Sequence, residues 1–60
     1  MGKMIEVEGF KAFRGRMQIC FEGYHAMIVS GEWLYNPYTD CWYGGGVSYP
    51  VCCCTVLEVE

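Results

Sequence analysis

No stretch of this chain stays apolar for the roughly 20 residues that a membrane-crossing helix needs. None keeps a 3.6-residue apolar period through three turns, and only four residues are basic. The first absence excludes a helical membrane span and the second an α-helical fold. The third argues against double-stranded nucleic acid as a partner, because phosphate backbones are gripped by clustered Lys and Arg. Histidine occurs once, as His25 in "EGYH". A nucleophilic thiolate would need that single base beside it, and an exposed loop histidine is the simpler reading. "YGGGV" lacks the Lys and the helix of a phosphate-binding loop. The pairs Glu6/Glu8 and Glu58/Glu60 have the spacing of solvated strand faces. An enzyme is therefore not expected, and neither is a cofactor. The opening "MGKMIEVEG" has no apolar signal core, and Glu6 stands where a myristoylation motif has Ser or Thr. "LEVE" is no prenylation box either. The expected compartment is the cytoplasm, with its cysteines reduced.

What the chain does have is apolar and aromatic mass: 53% hydrophobic and 17% aromatic residues in a chain of 60. That suits one small domain, 1–60, near the lower size limit at which a core alone offsets chain entropy. Short β-branched and aromatic runs alternate with Gly, Pro, Asn and Asp, the mark of strands and tight turns. In the first half Ile5, Val7, Phe13, Met17, Ile19 and Phe21 hold one register, with Glu6, Glu8, Arg14, Arg16 and Gln18 in the other. Side chains alternate along a strand, so this predicts one buried and one wet face. The segment is either a long strand bent at Gly9 and Gly15 or a hairpin turning around Lys11. The hairpin sets Glu8 against Arg14 and Glu6 against Arg16. "EGYH" reads as a connection and "AMIVSGEWLYN" as a strand interrupted at Ser30–Gly31. "NPYTD" is a turn in which Pro37 fixes φ and Asn36 and Asp40 cap backbone groups. The hairpin it closes sets Tyr35 opposite Cys41 and Trp33 opposite Tyr43. "GGG" (44–46) turns the chain again, Pro50 marks an edge or a kink, and residues 51–59 form the last strand. The fold class is all-β: a small curled antiparallel sheet or an SH3-like β-barrel of five to six short strands.

The cysteines admit several chemistries. On a strand Cys52 and Cys54 share a face and could offer zinc two thiolates, leaving Cys41, Cys20 and His25 as the remaining soft candidates, and none shows the knuckle spacing of a zinc site. Five cysteines in a reducing compartment disfavour a disulfide framework, and free cysteine packs as a small hydrophobe. Within "VCCCT" alternation makes Cys53 the core member, beside Val51, Thr55, Leu57 and Val59.

The aromatic surplus is more telling. A sheet this small hides one face, so with Trp42 and Leu34 inside, Trp33, Tyr35 and Tyr43 are left at the surface, near Tyr38 and Tyr49. Such rings give contact area at little entropic cost and carry a polar tip. The leading expectation is a noncatalytic protein-interaction module, binding a protein partner or its own copy. The alternatives are an oligomer that stacks nucleotide bases or single strands on these rings while Arg14 or Arg16 holds phosphate, and a zinc-stabilised domain. "GEWLYNPYTDCWYGGGVSYP" (31–50) resembles segments of small uncharacterised proteins in bacterial and phage genomes. With that resemblance, the small size, acidity and lack of catalytic groups would suit a phage-type inhibitor of a host enzyme.

Overall fold

A computed structural model describes the backbone of residues 2–21 and 25–60, and their side chains apart from those of Phe21 and His25. The alternating runs become six strands of one antiparallel sheet: β1 (Ile5–Val7), β2 (Phe10–Phe21), β3 (His25–Asn36), β4 (Cys41–Gly44), β5 (Val47–Val51) and β6 (Cys54–Val59). No helix occurs among the described residues. Neighbours run β1–β2–β3–β4–β5, while β6 pairs with β2. β1 lies against residues 10–12 of β2 and β6 against residues 15–19, so the two share one side of that strand. β5 and β6 do not pair, and the sheet curls over its core without closing into a barrel.

Two strands are longer than the short ones expected, at 12 residues each. Gly15 and Gly31 sit opposite one another within them and break neither. Gly15 instead lets the backbone of β6 come close: a Cβ there would lie 1.9 Å from the Glu58 carbonyl oxygen. The first segment is a hairpin, but it turns at Glu8–Gly9 rather than around Lys11. Glu8 (φ 52°) and Gly9 (φ 90°) adopt the left-handed pair of a two-residue type I′ turn, which matches the strands' twist. Glu6 is then opposite Lys11, and the arginines find other partners.

Both later turns fall where the sequence places them. Asn36 accepts the Tyr38 amide on its side chain at 2.8 Å and the Asp40 amide on its carbonyl at 2.8 Å. Gly45 (φ 60°) and Gly46 (φ 76°) form the second two-residue turn. Pro50 lies in β5, an edge strand, where a missing N–H costs no ladder bond. The connection read at "EGYH" falls on 22–24, outside the described residues, as does the side chain of Phe21.

The core is small: Phe13, Met17 and Ile19 of β2, Trp33 of β3 and Val51 of β5 are buried together. Val29, Trp42, Val47, Cys54, Val56 and Val59 pack around them. Phe13 meets Trp42 edge-on at 5.3 Å, although β3 runs between their strands. The inward register thus holds for β2 but not for β1. Ile5 and Val7 are 58% and 59% exposed, because the two-residue turn pairs them with Ala12 and Phe10, whose side of β2 faces away from the core.

Around "VCCCT" the strand alternation fails. The chain bends at Cys52–Cys53 between β5 and β6, and both residues are exposed. The inward positions become Val51, Cys54, Val56 and Val59. The register of β6 also slips beside Arg16–Met17, which leaves Leu57 exposed. Cys53 is therefore not the core member. The disfavoured disulfide framework is present: Cys41 bonds to Cys52 and Cys20 to Cys53, leaving Cys54 as the free thiol. Alternation fixes side-chain direction only along an unbroken strand, and the bend turns two neighbouring cysteines toward two different strands.

Candidate interaction surface

The register between β2 and β3 decides which aromatic residues face out. Phe13 pairs with Trp33 and Lys11 with Tyr35, so odd-numbered residues of both strands share the core face. Trp33 is consequently 2% exposed and Leu34 46%, the reverse of the expected arrangement. The β3–β4 hairpin is also displaced by one residue. Asn36 pairs with Cys41, Tyr35 with Trp42 and Leu34 with Tyr43. A one-residue slip sends every side chain to the other face. Trp33, Tyr35 and Trp42 therefore lie on the inner side, with Tyr35 and Trp42 in ring contact at 5.2 Å. Trp33 packs on the Gly45 turn, and its indole Nε1 has no hydrogen-bond partner among the described residues.

The outer face carries the row Ile5, Ala12, Leu34 and Tyr43, running across β1, β2, β3 and β4. Val7 and Phe10 extend it by one step, and Phe10 meets the Tyr38 ring at 5.8 Å. Tyr38 is 85% exposed at the turn. A shallow groove of about 630 Å³ opens over the row, rimmed by Lys3, Arg14, Glu32 and Glu60.

The sequence-expected residues distribute unevenly. Tyr43 and Tyr38 join the outer surface; Tyr43 donates to Thr39 Oγ1 at 3.1 Å. Tyr35 sits at the border of the inner face, with Lys11 Nζ 5.4 Å from its ring centre, and it donates its hydroxyl proton to Asp40. That hydrogen bond, then desolvation, then the Asp40 charge raise the Tyr35 pKa above its ordinary value. Tyr49 is exposed on β5, the edge strand beside β4. Arg14 pairs with Glu32 across β2 and β3, and Arg16 with Glu58 at 2.8 Å across β2 and β6. Neither meets Glu6 or Glu8. Ile5, Val7 and Leu34 escaped the sequence reading because all three look like core residues; only the pairing register reveals them.

Of the zinc candidates, Cys41 and Cys52 are joined to each other, and Cys54 is a half-buried thiol whose pKa burial raises. His25 opens β3 opposite Phe21, and its side chain lies outside the described residues. Among the described residues no cluster of three or more His, Cys, Asp or Glu could hold a metal. Among the described residues no helix is long and apolar enough to cross a membrane. No protein-family model matches the chain, and no match to it was found among curated proteins or solved structures.

Proposed function

We propose that this domain is a noncatalytic interaction module whose working surface is the outer face of the sheet, and that the occupant of that face is a second copy of the chain. The carrying observation is the row Ile5, Ala12, Leu34 and Tyr43, open to solvent on a sheet whose opposite face holds the core. Two further features favour a like copy. The groove rim carries two cations, Lys3 and Arg14, and two anions, Glu32 and Glu60. A two-fold related copy can set each charge against its opposite, as an isologous interface requires. The molecule's extents of 32 × 28 × 16 Å also make it a flat body with one broad face on each side of the sheet, the shape that the ~800 Å² each partner gives to a standard interface calls for.

The nucleotide-binding alternative has less support from the geometry. It calls for an exposed Trp33 and an unpaired arginine, whereas Trp33 is inside and both arginines sit against carboxylates. The cytoplasmic setting expected from the sequence fits the two disulfides only where they stay oxidised. Rapid alkylation of thiols in intact cells tests that directly.

Native mass spectrometry and sedimentation across a concentration series test the module. The wild type is expected to form dimers, and Leu34→Glu to remain monomeric with an unchanged circular dichroism spectrum. A wild type that stays monomeric at every concentration overturns the proposed self-association. A dimer that survives Leu34→Glu removes the outer face as its interface.

A further inference from the structure

The two disulfides meet the solvent differently. Cys20 and Cys53 are both exposed, whereas Cys41 is 6% exposed beneath the turn that precedes it. Cys41 Sγ lies 3.2 Å from the Thr39 carbonyl oxygen and, being bonded to Cys52, has no proton to donate there. Thiol–disulfide exchange proceeds by in-line attack of a thiolate on one sulfur and expulsion of the other as a thiolate. Attack on Cys52 would expel the Cys41 thiolate into a desolvated site against a carbonyl oxygen, where burial and the dipole both disfavour negative charge. Attack on the other bridge expels either Cys20 or Cys53 into water.

We propose that the Cys20–Cys53 disulfide is a thiol-exchange site, and that a dithiol reductant opens it while leaving Cys41–Cys52 intact. One thiolate of the dithiol bonds to Cys53 Sγ and displaces Cys20 as thiolate, which takes up a proton. The second thiol of the reductant, losing its proton, then closes on the first and releases Cys53. Two electrons pass to the protein, the reductant leaves as a cyclic or intramolecular disulfide, and two cysteines become thiols.

The reaction stops at that stage for two reasons. Cys53 is a poor donor of the exchange to its neighbour Cys52, because adjacent Cα atoms are ~3.8 Å apart and a bridge between them is strained. Cys54 points to the core face from β6 opposite Ile19, half-buried and held protonated, so it makes a poor attacking thiol.

Opening the bridge has a structural consequence. It is the covalent tie between the end of β2 and the start of β6, supplemented by the Cys20 amide donating to the Cys53 carbonyl at 3.0 Å. Without it β6 is held by its ladder to β2, the Arg16–Glu58 pair and the packing of Val56 and Val59, whereas β4 and the bend stay joined through Cys41–Cys52.

The test uses the oxidised full chain with dithiothreitol as the dithiol, quenched by iodoacetamide at intervals and read by peptide mass spectrometry. Cys20 and Cys53 are expected to become labelled about tenfold faster than Cys41 and Cys52. Equal rates, or earlier labelling of Cys41 and Cys52, overturn the proposal. Hydrogen exchange on the two-electron-reduced species supplies a second reading. Faster exchange confined to β6 and the end of β2 supports the assignment, and protection unchanged there removes the conformational consequence.

Discussion

Gly45 and Gly46 form a matched pair for asking how much the Trp33 packing contributes. Both occupy the left-handed region, at φ 60° and 76°, in the turn joining β4 to β5. A Cβ at Gly46 would meet nothing within 4 Å, whereas one at Gly45 would lie 2.3 Å from Trp33 Cζ2 and 2.7 Å from Cη2. Gly46→Ala therefore costs the backbone strain alone, about 1–2 kcal/mol for an L-residue in that region. Gly45→Ala carries the same strain plus overpacking against a fully buried ring, about 1–3 kcal/mol more. The indole has nowhere to retreat, since it already packs among Phe13, Met17, Ile19 and Val51. For a domain of this size 1 kcal/mol moves Tm by about 4–8 °C. Gly45→Ala should thus melt at least about 4 °C below Gly46→Ala, with tryptophan emission shifted to the red as Trp33 is displaced. Circular dichroism and fluorescence melts of the two variants side by side are sufficient. If they melt together, the Trp33–Gly45 contact does not constrain the core and the inward placement of Trp33 is wrong.

Removing the disulfides separately should cost unequal amounts. By loop entropy Cys41–Cys52, closing a separation of 11, is worth about 2.8 kcal/mol and Cys20–Cys53, closing 33, about 3.7 kcal/mol. Urea unfolding of C41S/C52S and C20S/C53S is expected to rank them in that order, and a loss below about 1 kcal/mol in both would show that neither bridge forms in solution. Tyr35 should titrate later than its unfolded counterpart. Its contribution is complete below the ordinary tyrosine pKa and is lost as pH rises through the elevated one. Ultraviolet titration should show the latest tyrosine moving to lower pH in Asp40→Asn, and an unmoved curve would place the cause elsewhere. The Arg14–Glu32 pair is exposed on both sides, so Arg14→Ala should change stability by less than about 1 kcal/mol. A larger loss would mean that the arginine has a structural role beyond the ion pair.

The two later turns were legible from sequence because their chemistry is local. Asn36, Pro37 and Asp40 set one bend, and the glycines at 45 and 46 set another. The inward register of β2 was legible for the same reason, since period-two alternation needs no partner. The outward face was not legible. Whether Trp33 or Leu34 turns inward depends on pairing β3 with residues some 20 positions earlier in β2, and nothing within β3 itself encodes that choice. The disulfides were hidden by a similar limit. Cys52 and Cys53 are adjacent in sequence, and the bend that directs them to Cys41 and Cys20 interrupts the alternation on which a strand reading rests, while the expected reducing compartment argued against any bridge.

The nested bridges also set how the molecule responds to tension. Pulled from its two ends, the oxidised chain transmits force from Cys20 directly to Cys53, and the intervening segment, which includes all of β3, β4 and β5, bears none of it. Only the residues outside that loop can extend, reaching about 100 Å at ~3.5 Å per residue against about 210 Å for the reduced chain. The strands that bear the load are β1, β2 and β6. The outer-face residues on β3 and β4, Leu34 and Tyr43, would keep their relative positions while the ends of the chain were drawn out.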